Sequence, residues 1–127
     1  MTAFGGIISQ YEDSGTTYRV HTFRGSGSFT VMAGSADVDY LIIAGGGSGA
    51  YNYMGAGGGG AGGVKTGTGV TVDTASSPYT ITVGAGGLQA NTGSEAGNDG
   101  NNSVALGVTA TAGGGATRNG GSGGAGS

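Results

Sequence analysis

The chain has 127 residues, of which 34 are glycine, one is proline and none is cysteine or tryptophan. Glycine is therefore roughly four times as frequent as its usual share of about 7%, and the missing cysteines exclude a disulfide framework, a thiolate metal site and a cysteine nucleophile. The formal net charge of −3, from four basic and seven acidic residues, excludes the clustered Lys and Arg side chains of a nucleic-acid-binding surface.

Residues 1–43 have the pattern of a small antiparallel β unit. Residues 18–23 alternate along two faces and are rich in β-forming types, which predicts a strand. We expect it to pair with residues 28–32 across a turn at 24–27. Residues 38–43 form a further predicted strand, whose apolar end is typical of a strand buried on both faces.

Residues 44–127 alternate between glycine tracts and short strand candidates. The strands are predicted near 69–73, 79–83 and 104–111, where β-branched residues and threonine recur. Glycine-rich segments oppose helix formation, because each glycine in a helix costs about 1 kcal/mol relative to alanine. At this length we expect a single domain over residues 1–127, mainly β and without significant helix.

Large hydrophobic side chains are too few to stabilise such a domain by themselves. Leu, Ile, Val and Phe make up 20 of the 127 residues, below the share of about 20% at which order becomes doubtful. Charged residues are only 9% of the chain, whereas disordered chains are usually highly charged. The fold therefore needs another source of stability, such as main-chain hydrogen bonding or assembly between chains.

Small residues recur at every third position in the last glycine tract, residues 119–126. Three residues per turn is the period of polyproline II, and a collagen helix is excluded because glycine fills two places in three. We therefore expect polyproline-II-type strands packed in layers. The alternative is a set of flexible linkers between hairpins, the usual meaning of Gly/Ser-rich sequence. Order is favoured because strand-like apolar residues bound the tracts.

Motifs for catalysis or cofactor binding do not survive inspection of their context. Gly45, Gly47 and Ala50 follow a strand as in a dinucleotide fingerprint, but that site needs a helix next, and the residues that follow are mostly glycine. His21 is the only histidine and lies in a predicted strand, while the carboxylates are scattered. We predict no enzymatic activity, no catalytic residue, no metal ligand and no cofactor.

The sequence favours receptor binding at residues 51–54, a short segment without glycine between two glycine tracts. Tyrosine and asparagine offer contact area and hydrogen bonds at a low entropic cost, and aromatic residues in exposed loops suggest binding. The alternative is that this segment packs in a local core or at a contact between subunits. The candidate receptor-binding residues are Tyr51, Asn52, Tyr53 and Met54, followed by Gln89 and Asn91 in a polar loop.

The order of these segments resembles the glycine-rich domain of bacteriophage tail-fibre proteins. The similarity runs from about residue 17 to the end and combines the strand at 18–23, the glycine run after residues 38–43, the run at 57–64 and the strand at 79–83. A single glycine run is nonspecific, but this order of runs and strands is fairly specific.

The resemblance implies a virion structural protein at a tail fibre or its tip, which binds the host surface through loops between glycine tracts. The implied partners are copies of itself, as in trimeric fibres, other virion proteins, and a host receptor that is a glycan or an outer-membrane protein. The alternative is a self-assembling structural subunit, for example a capsid decoration or extracellular fibre protein, whose glycine tracts pack between copies. No apolar run approaches about 20 residues and no secretory-signal pattern is visible, so we expect no membrane insertion.

Overall fold

The computed structural model describes residues 1–52, 55–117 and 126. Within them the chain is mainly β and contains no helix, as expected from the sequence. The strands are β1 (Thr2–Phe4), β2 (Ile7–Asp13), β3 (Thr16–Thr22), β4 (Gly27–Ala33), β5 (Ser35–Ile43), β6 (Val64–Asp73), β7 (Tyr79–Ile81), β8 (Ser103–Ala105) and β9 (Val108–Ala110).

The main hydrophobic core lies against a three-stranded antiparallel sheet. β4 is its central strand, with β1 and β7 on either side. Ala3, Phe29 and Val31 from β1 and β4 meet Ile81 of β7 and Val72 of β6, which is completely buried. The core therefore joins this sheet to the separate antiparallel pair of β5 and β6.

The antiparallel N-terminal unit is present, but the predicted pairing of residues 18–23 with 28–32 is wrong. β3 pairs with β2, whereas β4 pairs with β1 and β7. The reason lies in Ser14 and Gly15, which have φ angles of +50° and +82° and form a two-residue turn whose twist suits adjoining strands. Residues 24–27 instead carry the chain away from the β2–β3 hairpin.

The expectation that the end of β5 is buried on both faces is also wrong. Ile42 is buried, while Leu41 and Ile43 are 62% and 56% exposed. β5 pairs only with β6, and the second hydrophobic cluster, of Ile42 with Ala44 and Ala110, contacts one face. Alternate side chains of a strand point to opposite faces, so the other face stays open.

The remaining predicted strands are present with changed bounds. Residues 69–73 form the end of the longer β6, and residues 79–83 contain the short β7. Residues 104–111 include parts of β8 and β9, separated by a turn at Leu106 and Gly107 with φ angles of +51° and +75°. The β8–β9 hairpin lies next to the glycine tracts, and its Ala110 packs against Ile42 and Ala44.

Five segments lie side by side beyond β5, joined largely by main-chain hydrogen bonds that belong to no strand pair. We call them tracts 1 to 5: residues 44–51, 55–63, 83–88, 95–102 and 111–117. The predicted period-three tract at 119–126 lies outside the described residues except for Gly126, whose amide donates to the Ala61 carbonyl at 2.7 Å.

Tract 1 is hydrogen-bonded to all four other tracts. Every third amide of tract 1 donates to tract 2, at N···O distances of 2.8–3.1 Å, and the amides one residue further on donate to tract 4 at 2.8–3.0 Å. The Gly46 carbonyl accepts from the Gly87 amide of tract 3 at 2.8 Å, and two other carbonyls accept from tract 5 at 2.9 and 3.0 Å. Successive amides that point to different neighbours with a period of three match polyproline II geometry.

Close approach of these main chains excludes side chains at many tract positions. A Cβ atom at Gly47 would lie less than 3.0 Å from main-chain atoms of Gly114, and one at Gly59 less than 3.0 Å from those of Gly47. The same holds at Gly45, Gly62, Gly84, Gly87, Gly97, Gly100, Gly113 and Gly115. The space lets Cα–H groups face carbonyl oxygens, which adds weak hydrogen bonds.

Two adjacent glycines of tract 2 provide a test of this packing. We expect Gly59→Ala to destabilise the protein by about 1–3 kcal/mol, the usual cost of forcing extra atoms into a close-packed interior. A Cβ at Gly58 meets nothing within 4 Å, and this residue is not at positive φ. Gly58→Ala should therefore change the free energy of unfolding by at most about +1 kcal/mol, in the stabilising direction.

Denaturant unfolding followed by circular dichroism measures both changes. Equal effects of the two alanine substitutions would contradict the packing described for tract 2.

Candidate functional site

The candidate site is one end of the glycine-rich bundle, where two chain reversals meet. Tract 1 runs antiparallel to both tract 2 and tract 4, so the end of tract 1 lies beside the beginnings of the other two. We call this region the loop end and define it as residues 50–57 and 88–96. The bundle therefore brings together segments that are far apart in sequence.

A pair of main-chain hydrogen bonds holds the two loops together. The Tyr51 amide donates to the Glu95 carbonyl at 2.8 Å, and the Glu95 amide donates back to the Tyr51 carbonyl at 2.9 Å. The Ala50 amide also donates to the Gly57 carbonyl at 3.1 Å, which closes the first loop. The two ends of the first loop and the Glu95 end of the second are thus fixed to the bundle.

The second loop is closed by its own polar side chains. The Asn98 side-chain amide donates to the Leu88 carbonyl at 2.8 Å. Inside the loop, one carboxylate oxygen of Glu95 accepts from the Asn91 amide at 3.2 Å and from the Thr92 hydroxyl at 3.3 Å. Gly93 has a φ angle of +58°, a conformation that glycine adopts without strain. Glu95 therefore organises the loop through its side chain and anchors it through its main chain.

The structure brings together four of the residues that the sequence nominated. Tyr51 and Asn52 lie in the first loop and are half-buried, whereas Gln89 and Asn91 are exposed in the second. Tyr53 and Met54 lie outside the described residues. The proposal that these residues contact a receptor stays a prediction, and the Tyr51–Glu95 pair joins the two loops that carry them.

Sequence reasoning missed three residues of the loop end: Leu88, Thr92 and Glu95. Leu88 is 80% exposed, which is more than any other large hydrophobic side chain in the described part. Its position, as an apolar residue between a glycine tract and a polar loop, could have identified Leu88 as an exposed contact residue. No local signal identified Glu95, because its pairing with Tyr51 links positions 44 residues apart in the chain.

Charge is sparse at the loop end. Glu95 is the one acidic residue within 50–57 and 88–96, and these segments contain no lysine, arginine or histidine. What they offer is an exposed aliphatic side chain, neutral amides and hydroxyls. Such a surface suits an uncharged polar ligand better than a polyanion, because binding a polyanion needs clustered cations.

His21, which lies outside the loop end, contacts other parts of the strand region. His21 donates from Nδ1 to the Gly5 carbonyl at 2.9 Å and packs edge-to-face on Phe29, with ring centroids 4.9 Å apart. Across residues 1–52, 55–117 and 126, no three His, Asp or Glu side chains lie close enough to hold a metal ion. Over the same residues, no helix has the length and apolarity to span a membrane.

Comparison with known proteins gives one match. The model of a family described as a glycine-rich domain matches residues 21–127. The matched region begins in β3 and includes the five tracts and the loop end. No curated protein and no solved structure matches the chain.

The role of the Glu95 side chain can be tested by hydrogen exchange. We expect Glu95→Ala to accelerate exchange of the Asn91 amide by about fivefold, since a lost hydrogen bond is worth about 1 kcal/mol. The global free energy of unfolding should change little, because the main-chain pairing with Tyr51 remains. Mass spectrometry of exchanged peptides over residues 89–94 measures the effect.

Two controls make this test specific. Glu95→Gln keeps an acceptor oxygen and should exchange more slowly than the alanine variant. Glu12→Ala removes an exposed carboxylate that accepts from Thr17 in the β2–β3 hairpin and should leave the loop unchanged. Unaltered exchange in Glu95→Ala would show that this carboxylate does not order the loop.

Proposed function

This chain belongs to the glycine-rich domain family, and we propose that it is a non-enzymatic structural protein of a bacteriophage virion, a tail-fibre or fibre-tip component that attaches to the host surface. The observation that carries the proposal is the loop end, where Tyr51 and Glu95 fix two recognition loops to a hydrogen-bonded bundle. The resemblance of the segment order to phage tail-fibre domains supports the virion assignment. An extracellular or cell-surface location is the alternative.

The bundle suits attachment because it holds the second loop and the ends of the first loop in place before a ligand arrives. A loop that is already ordered loses less conformational entropy on binding. Main-chain bonds at every third residue of tract 1 continue to Tyr51, so the order of the interior extends to the start of the first loop. Sequence changes in the loops would therefore alter the ligand without disturbing the platform.

The chemistry of the loop end supports a neutral or weakly polar receptor. Gln89 and Asn91 are exposed amides, which donate to and accept from hydroxyl groups, and Leu88 supplies an apolar contact beside them. A host glycan offers hydroxyls and apolar ring faces, and an outer-membrane protein loop offers similar groups. We propose one of these two as the receptor, with copies of the chain and other virion proteins as partners within the particle.

Binding in place of catalysis is supported by the contacts of the titratable groups. The His21 ring is used by Gly5 and Phe29. A general base would need a nucleophile or substrate proton within hydrogen-bond reach.

A self-assembling structural subunit is the second candidate function. If the subunit assembled through its glycine tracts, these tracts would pack between copies. In the described tracts, however, main-chain amides donate to carbonyls of neighbouring tracts within the same chain. What favours self-assembly is a different surface, the exposed face of the β2–β3 hairpin described below. Attachment and assembly then use separate parts of the molecule.

Substitution of the exposed loop amides tests attachment. We expect the double variant Gln89→Ala/Asn91→Ala to bind host cells about tenfold more weakly, since truncation of a central contact residue typically costs more than about 1 kcal/mol. The labelled full chain, titrated onto a panel of bacterial strains and read by flow cytometry, first identifies a binding strain. The variant is then compared on that strain.

Thr109→Ala is the matched control, because Thr109 is an exposed polar residue of β9, outside the loop end. It should bind like the unchanged chain, and all three proteins should have the same circular dichroism spectrum. Undiminished binding by the double variant would refute the loop end as the attachment surface, and failure of every strain to bind would refute attachment.

A further inference from the structure

We infer that the outer face of the β2–β3 hairpin packs against the same face of a second copy of this chain. The outer face consists of the side chains on one side of the hairpin, as the cross-strand register places them: Ile7, Ser9, Tyr11, Asp13, Thr16, Tyr18, Val20 and Thr22. This inference concerns assembly and does not depend on the proposed attachment function.

The hairpin has no third strand and no layer over its outer face among the residues that the structure describes. β2 and β3 pair only with each other, and every residue of both strands except His21 is exposed. Two-stranded hairpins in water are marginally stable without a further strand or a packed face. This one extends over seven cross-strand pairs, from Ile7–Thr22 to Asp13–Thr16.

The two faces of the hairpin differ in what they meet. The inner face bears Gln10, Arg19 and His21, which line a groove together with Phe29 and other residues of the core sheet. The opposite, outer face is therefore directed away from the rest of the chain. Of the inner face, only His21 is half-buried, so the intramolecular contacts of the hairpin are centred on this residue.

The outer face is apolar and aromatic to an unusual degree for an exposed surface. Ile7, Tyr11, Tyr18 and Val20 are 58%, 52%, 44% and 37% exposed. Tyr11 and Tyr18 are stacked with ring centroids 5.1 Å apart, so the two rings form a continuous platform. Contiguous apolar patches with polar edges mark interaction sites on soluble proteins.

Charge favours an identical partner. The outer face carries no lysine or arginine, and its only carboxylate, Asp13, lies at the tip beside the turn. Two such faces can meet without opposing like charges over most of their length. An anionic partner such as a nucleic acid would find no cation here, since Arg19 is on the inner face.

The size of the face fits a weak, concentration-dependent dimer. With about 150–250 Å² for each large side chain when free, the exposed parts of the four apolar residues amount to about 400 Å² per copy. A pair that buries these parts completely removes about 800 Å² from solvent, which is close to the threshold of about 1,000 Å² for specific interfaces; Ser9, Thr22 and neighbouring main chain add to this area.

Charge variants at the centre of the outer face test the inference. Sedimentation of the full chain over a range of concentrations should show reversible association. Val20→Lys and Val20→Glu should each weaken it by about tenfold or more, because like charges then face each other across the interface. An equimolar mixture of the two variants should associate again, which a misfolded protein would not do.

Leu41→Lys is the matched control, since Leu41 is an exposed aliphatic residue of β5 and receives the same charge. It should associate like the unchanged chain. A monomeric unchanged chain, undiminished association of the Val20 variants, or loss of association in Leu41→Lys alone would each overturn the inference.

Cross-linking provides a second measurement without a change in charge. The chain has no cysteine, so Val20→Cys and Leu41→Cys each introduce a single thiol. Under mild oxidation Val20→Cys should form disulfide-linked dimers faster than Leu41→Cys, and equal rates would contradict the proposed interface. Cell binding by monomeric Val20 variants separates the two proposals, since attachment through the loop end does not need the dimer.

Discussion

Main-chain hydrogen bonding between side-chain-poor tracts is the interaction on which the rest of this structure depends. Successive amides of tract 1 point to different neighbours, and the pattern repeats every three residues. Glycine makes this possible because its Cα lets another main chain approach where a Cβ would collide, as at Gly47 and Gly59. The composition that would normally indicate a linker therefore encodes an ordered interior.

The balance of forces differs from that of a protein stabilised chiefly by a large oily core. The buried hydrophobic residues of the described part are few, and four of them are alanine: Ala3, Ala44, Ala110 and Ala116. Each main-chain hydrogen bond contributes only about 0.5–1.5 kcal/mol net, while each ordered glycine loses more conformational entropy than other residues. A bundle of this kind is stable through many such bonds, helped by the strand region, whose core is centred on Val72.

The same constraint separates the tasks of the molecule. A tract can hardly carry large side chains without disturbing its neighbours, so larger side chains are concentrated at the ends of the bundle and in the strand region. The loop end and the outer face of the hairpin fit this division. One is anchored to the bundle through Tyr51 and Glu95, and the other carries the Tyr11–Tyr18 platform.

Sequence alone determined the fold class and the positions of the glycine tracts. Tyr51, Asn52, Gln89 and Asn91, which it nominated for receptor binding, lie at the loop end, and their role stays a prediction. Period three and scarce oily residues are local properties, and they lead to polyproline-II-type packing without knowledge of which tract meets which. Turn chemistry is local as well, but the alternation of residues 18–23 led to a predicted pairing with the following strand, and the β2–β3 hairpin with its turn at Ser14 and Gly15 was not predicted.

Only the tertiary structure decided the strand partners, the open face of β5 and the meeting of the two loops. β-pairing is set by contacts between distant residues, and a glycine tract carries no side-chain pattern that identifies its neighbour. The pairing of Tyr51 with Glu95 consists of main-chain hydrogen bonds. Because almost any residue type can form such bonds, the sequence contains no pattern that predicts this pairing.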